Sequence, residues 1–241
     1  MNIDPAGLES SLRKLTSAEP DTDLVRTLAT ISRACLALFG VDGCGVMIVD
    51  EQNTLREIAA SDPDGHALER AELQTQQGPC TDAYIANRLV ATTDLRTDPR
   101  WPKLATTVYD KPIRAVMGIP IRLGGGPVGT LDVLRHQPHH WTDSERAALQ
   151  RYGDVIETAL AAALAAHSSS DLASQLQYAL DSRILLERSI GFLMASHDLD
   201  PLDAFNLLRR TARTSRCRIG AVAEELLRTG HLPTETDPPT P

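Results

Sequence analysis

No stretch of the chain approaches the ~18 to 20 consecutive apolar residues that a bilayer span requires. Its opening, MNIDPAGLESSLRKL, also lacks the apolar run of a signal peptide. A membrane location is therefore not expected, and the reading is a cytoplasmic protein. Cysteine is scarce: Cys35, Cys44, Cys80 and Cys217 are the full set, and none sits in a Cys-x-x-Cys pair. That spacing suggests neither a zinc knuckle nor a disulfide scaffold. The chain also has no Gly-x-Ser-x-Gly elbow, no His-Glu-x-x-His and no Walker loop. No enzyme is expected. His136, His139 and His140 crowd the HQPHH loop, but no further ligands stand at matched spacing nearby, so a metal site is not expected either.

What is present is the composition of a chain with a real core, 42% apolar and 23% charged over 241 residues. That length suits one large domain or two small ones. The formal net charge of -8 is unevenly spread. Residues 1–170 hold 16 Lys and Arg against 22 Asp and Glu, whereas residues 171–232 hold eight of each. Within that balanced segment LLRRTARTSRCRIG contains five arginines and no acid. Because charges are screened over ~8 Å at physiological ionic strength, the local field of this stretch matters more than the global balance.

Periodicity sketches the elements. Leu24, Leu28, Ile31, Cys35, Leu38 and Phe39 recur at helical spacing before Gly40. GCGVMIVD and TLREIAASD read as two short strands, and TDAYIANR as a short helix followed by the apolar step LVATTDL. AVMGIPIRLGGGPVGTLDVLR reads as a hairpin turning at Gly124 to Gly126. A capping box, Thr142 with Glu145, then opens a long helix through Leu149, Ile156, Leu160 and Leu164.

After SSSD, taken as the domain boundary, Leu172, Leu176, Ala179, Arg183, Leu186, Ile190 and Leu193 alternate steps of four and three. This is a heptad seam broken once by Arg183, and it predicts pairing into a homodimer through Leu172, Leu176, Ala179, Leu186, Ile190 and Leu193. Asp200 is a fit N-cap ahead of Pro201, with Phe205, Leu208 and Ala212 on the buried face of the helix that follows. A last helix sets Ile219, Val222, Ala223, Leu226 and Leu227 on one side and stops at Gly230. The expected fold class is α+β: an antiparallel sheet flanked by helices, then a helical stalk and a compact all-α trio. The expected bounds are a flexible lead-in at 1–20, a sheet domain at 21–167, a helical region at 168–232 and a disordered tail at 233–241.

The C-terminal order Leu-x-x-Ala-Leu-x-x-Arg, then Glu187, Gly191, Met194, Ala204-Phe205, Leu208-Arg209, Ala212 and Val222-Ala223 resembles the ANTAR domain. The resemblance implies an RNA-binding output module of a bacterial transcription antitermination regulator. The family often has Ala-Lys-Gly where this chain has Ser189-Ile190-Gly191, so a lysine associated with RNA contact is missing. Upstream, QGPCTDAYIANRLVATTDLRTDPRWPKL and VMGIPIRLGGGPVGTLDV resemble the middle and late segments of a GAF domain. That likeness implies a six-stranded antiparallel sheet and a small-molecule or signal sensor.

Sensor, helix and ANTAR in this order imply a signal-responsive regulator that binds a hairpin in nascent RNA. The expected RNA contacts are Arg188, Arg209, Arg210, Arg213, Ser215, Arg216 and Arg218, with Thr214 in support, since guanidinium forks pair with phosphate and stack on exposed bases. For the sensor the candidates are Cys80 as a ligand-contacting or redox-responsive thiol, and Asp94, Trp101 and Arg114 as lining of the same cavity. The ligand is unassigned. Two rival readings stand beside this one: a DNA-binding regulator whose last two helices form a helix-turn-helix, and a sensor whose C-terminal helices bind a protein.

Overall fold

The computed structural model describes residues 3–17, 23–50, 53–166 and 171–233. The chain divides into two compact units, one built on a sheet and the other on three helices.

The first unit begins with a helix. Residues expected to form a loose lead-in include α1 (Pro5–Ser17), so that expectation is corrected. The cause is tertiary: Leu12 is buried and the Ser11 hydroxyl meets the Tyr152 hydroxyl at 2.6 Å. Helix α2 (Leu24–Phe39) is capped by Asp23, whose carboxylate accepts from the amides of Val25 and Arg26, and it stops where Gly40 turns left-handed at φ 53°. Strands β1 (Gly43–Val49) and β2 (Leu55–Ala60) follow. Then come α3 (Pro63–Thr75), α4 (Pro79–Ala86), β3 (Val90–Thr92) and α5 (Pro102–Thr107). Strands β4 (Ala115–Leu123) and β5 (Gly126–Arg135) are joined at Gly124 and Gly125, both at positive φ, and α6 (Asp143–Ala165) closes the unit. The Thr142–Glu145 capping box forms as the sequence predicts.

The five strands run in the order β2-β1-β5-β4-β3, with β5 at the centre. This is one strand fewer, among the described residues, than the sequence resemblance implied. One face is covered by α2 and α6, which bury Leu28, Ile31, Cys35 and Phe39 with Leu149, Tyr152, Ile156 and Leu160. On the other face Leu68 and Ala71 of α3, Ala83 of α4 and Leu104 of α5 form a core with Trp101, Val116 and Leu134. That face also holds the groups of interest, because residues 118 and 132 follow Val116 and Leu134 at the strand period of two.

The second unit holds three helices, α7 (Asp171–His197), α8 (Pro201–Ser215) and α9 (Ile219–Thr229), and takes in the Val49–Thr54 segment as well. The expected stalk and trio share α7. Asp200 caps α8 by accepting from the Asp203 amide at 2.8 Å, and Arg216 ends it in the left-handed region at φ 54°. Phe205, Leu208 and Ala212 of α8 and Ile219, Val222, Ala223 and Leu226 of α9 are buried between the helices. The SSSD break occupies 168–171 and lies outside the described residues apart from its aspartate, as does the tail from 234.

Candidate functional site

Helix α7 settles what the heptad seam does. Leu176, Ala179, Leu186 and Leu193 are buried, and α7 packs against both α8 and α9 of the same chain. The seam expected to pair two copies is therefore used within one. Its register also differs from the expectation, since the buried positions between the leucines are Ser182 and Ser189, not Arg183 and Ile190. Serine is small enough to let α9 approach, and the Ser189 hydroxyl donates to the Ala223 carbonyl at 3.0 Å. Ile190 is half-buried, and the side chain of Leu172 lies outside the described residues. The Gly220 amide donates to the Tyr178 hydroxyl at 3.2 Å, and a Cβ at Gly220 would stand 2.8 Å from that oxygen. A glycine there lets the start of α9 meet α7.

The arginines separate into two groups. Arg209 is buried, with its guanidinium 5.6 Å from the centre of the Phe205 ring. It belongs to the helix packing, and its expected place on the binding surface is corrected. Ser215 is corrected likewise, because its hydroxyl is buried. Helix geometry is the reason: consecutive positions on a helix point in different directions, so Arg209 turns inward where its neighbour Arg210 stays exposed. Arg210, Arg213 and Arg216 are exposed, spaced by three along the end of α8. Arg218 is exposed one turn on, at the N-cap of α9, and its guanidinium lies 5.0 Å from the Tyr178 ring centre. Arg188 is exposed on α7, and the Thr214 hydroxyl donates to the Arg210 carbonyl at 3.0 Å. The C-terminus of α8 favours Arg213 and Arg216 through its dipole, whereas Arg218, at the N-terminus of α9, gains nothing from that term.

In the sheet unit the four expected residues do not share one set of contacts. Asp94 takes both arms of Arg114, Nε to Oδ1 at 2.9 Å and Nη2 to Oδ2 at 2.5 Å, and Arg114 holds the Asp94 carboxyl below its ordinary range. Trp101 is core, donating its Nε1 to Asp82 at 2.9 Å under the guanidinium of Arg100. Cys80 is fully buried at the start of α4. Burial first, and then the nearby Asp132 and Glu72, push its thiol well above the usual range. A thiol held protonated in this way is a poor nucleophile. All four cysteines are free, and Cys35 and Cys44 lie side by side in the core.

The groups around Cys80 were not anticipated from the sequence. Glu72 of α3 caps α4: one carboxylate oxygen accepts from the Cys80 amide at 3.2 Å, the other from the Thr81 amide at 2.9 Å and its hydroxyl at 3.1 Å. Glu69, one turn earlier on α3, and Asp132, at the centre of β5, are buried beside it. Burial raises all three carboxyls, Glu72 to about 8, Asp132 to about 7 and Glu69 to about 12. The available signal was an aspartate inside the apolar strand GTLDVLR. His139, by contrast, is accounted for locally: it meets Glu145 at 2.9 Å and packs edge-on against Trp141. No group of three metal-ligating side chains occurs among the described residues.

The model of the GAF domain matches residues 23–160, more than half of the chain. The chain belongs to the GAF family. An ANTAR domain follows at residues 174–227, so this GAF–ANTAR chain couples a sensor-type unit to a regulator-type one. No curated protein sequence matches it. Among solved structures, a GAF domain from an Acinetobacter phosphoenolpyruvate-protein phosphotransferase is similar at 16% identity and a TM-score of 0.54, over 69% of this chain and 98% of that one. The free methionine-R-sulfoxide reductase of Neisseria meningitidis is similar at 17% identity and a TM-score of 0.52, over 66% and 89%. A GAF domain from a phosphoenolpyruvate-protein phosphotransferase of Coxiella burnetii gives 18% and 0.51, over 67% and 95%. At these identities the likeness is one of fold. Among the described residues no helix is long and apolar enough to cross a membrane.

Proposed function

We propose that this GAF–ANTAR chain is a signal-responsive antitermination regulator. Its GAF unit takes a small-molecule signal, and its three ANTAR helices bind a hairpin in nascent RNA. The observation that carries the RNA half is the exposed group Arg210, Arg213 and Arg216 at the end of α8, with Arg218 at the start of α9. Four guanidinium groups over one helix end and the next helix start offer paired hydrogen bonds to phosphates that turn with a folded RNA. Arg218, already beside the Tyr178 ring, combines a cation with an aromatic plane, the pairing that accepts an unstacked base. With Ile190 in place of the family's usual lysine, affinity rests on these arginines.

RNA selected from the source transcriptome by the full chain supplies the ligand for the test. Arg210→Ala with Arg213→Ala is expected to weaken binding, and to flatten the dependence of log affinity on log salt by about 0.7 to 0.9 for each phosphate contact removed. Unchanged affinity in the double variant would sink the assignment of this surface. Duplex DNA competing as well as the selected hairpin would favour the DNA-binding rival instead.

A further inference from the structure

The centre of the sheet contains an arrangement that packing alone does not require. Asp132 on β5 stands in register with Gly45 on β1 and with Gly118 on β4. Two glycines beside a central-strand aspartate leave a trench across three strands. The neighbouring helices press into it: a Cβ at Gly45 would fall 2.0 Å from the Glu69 carboxylate and 3.2 Å from that of Asp132, and one at Gly118 would touch the backbone of Cys80. Two residues along the same face of β5 lies Thr130, opposite Met47 and Pro120.

These groups hold more acceptor oxygens than the few nearby donors can serve. The carboxylate oxygens of Glu69 and Asp132 and the Thr130 hydroxyl are buried, and what reaches the two acids is another carboxyl, Glu57 at Glu69, and a thiol, Cys80 at Asp132. The Cys80 thiol, a weak donor, is Asp132's neighbour. Glu72 differs, because its oxygens are taken up in capping α4. Toward solvent the acids continue: Glu57 adjoins Glu69 and pairs with the half-exposed His66. Buried carboxyls left without partners are costly, and are retained where something else completes them.

We propose that this trench recognises a compact ligand through a primary ammonium group, whose three N–H donors and positive charge complete Glu69 and Asp132. The proposal rests on the sensor reading above and names its ligand class. An ammonium fits better than a bare metal cation, since the described residues contain no group of three ligating side chains able to hold one. In the absence of the ligand, protons keep the acids neutral; binding replaces those protons with a cation, and α3 and α4, which carry Glu69 and Cys80, are the elements that would register the exchange.

Thermal unfolding of the full chain tests this with methylammonium chloride as probe, against tetramethylammonium chloride and potassium chloride at equal ionic strength. A two-heavy-atom ligand binds in the millimolar range at best, so about 50 mM is appropriate. Methylammonium is expected to raise the midpoint, with no comparable rise from tetramethylammonium, which has the charge but no N–H donor. Asp132→Asn and, separately, Glu69→Gln are near-isosteric and are expected to fold and to lose the response. An equal rise with both organic cations, or a response that survives in both variants, overturns the ammonium site. Acetate, inorganic phosphate and acetamide run in parallel: a shift with these and none with methylammonium overturns the ligand class while leaving the sensor reading intact. No shift with any probe overturns both.

Discussion

The GAF and ANTAR units treat charge in opposite ways. The sheet unit buries Glu69, Glu72 and Asp132 within one neighbourhood, whereas the helical unit exposes Arg210, Arg213, Arg216 and Arg218 and, among the described residues, buries one charged side chain, Arg209, against an aromatic ring. An exposed guanidinium keeps much of its water, even where Arg213 donates to the Thr54 hydroxyl at 3.4 Å and Arg218 lies over the Tyr178 ring. A buried carboxyl has lost its water and must be completed by a proton, a donor or a ligand. On the proposed reading, one surface serves a polyanion and one interior a donor.

The largest expected effect sets the scale for the helical unit. Phe205→Ala empties the centre of the trio and should cost about 3 to 5 kcal/mol in denaturant unfolding. A cost well below that would mean the arginines and the helix ends, rather than the core, hold the unit together.

In the sheet unit the sign should reverse. Asp132→Asn removes a buried ionisable group and should stabilise by about 1 to 3 kcal/mol at alkaline pH, since replacing buried charge with a neutral isostere is neutral to favourable. The wild-type chain should show the matching pH dependence. Asp132 at about 7 and Glu72 at about 8 lie above the ordinary carboxylate range, which applies in the unfolded chain. As pH rises above that range the unfolded state releases protons that the folded state keeps, so stability falls. The decline should begin near pH 4, run through about pH 8 as Asp132 and Glu72 ionise, and continue above it, because Glu69 at about 12 and the raised Cys80 thiol still keep protons that the unfolded chain has released. Burial sets most of each shift; Glu57, Asp62 and Glu69 face the same groups and add to it, while the Cys80 thiol draws Asp132 back. Urea midpoints at pH 5, 7 and 9 would reveal the slope, and a slope as steep in Asp132→Asn as in wild type would break the comparison.

Asp200→Ala removes the carboxylate that caps α8 and should cost about 1 kcal/mol. It tests whether acids at the helix start balance arginines at its end. The smallest effect is the most telling: Arg210→Ala with Arg213→Ala should leave stability within about 0.5 kcal/mol of wild type, by the same urea titration. A large loss would mean that the basic surface serves the fold and not a partner.

Much of this was legible in the chain. Helices α2, α6, α8 and α9 announce themselves because their stripes, caps and stops are local; Asp23, Thr142 and Asp200 act within one turn. Helix α3 escaped notice because Pro63–Thr75 is polar and its burial is shared with acids. Helix α1 was read as loose because its one buried leucine finds cover only on distant residues. The seam on α7 was visible, but periodicity cannot tell a partner helix in the same chain from one in another. Cys80 was singled out without its surroundings, Glu69, Glu72 and Asp132, which come from α3 and β5.

The sequence by itself determined two units, their order and the basic stretch between Leu207 and Gly220, because composition, caps and periodicity are properties of neighbours along the chain. Only the tertiary structure decided which arginines remain outside, which helix the seam packs against, and that Gly45, Asp132 and Gly118 align beneath Glu69. Those outcomes depend on burial and strand register, which arise when segments far apart in the chain exclude water together.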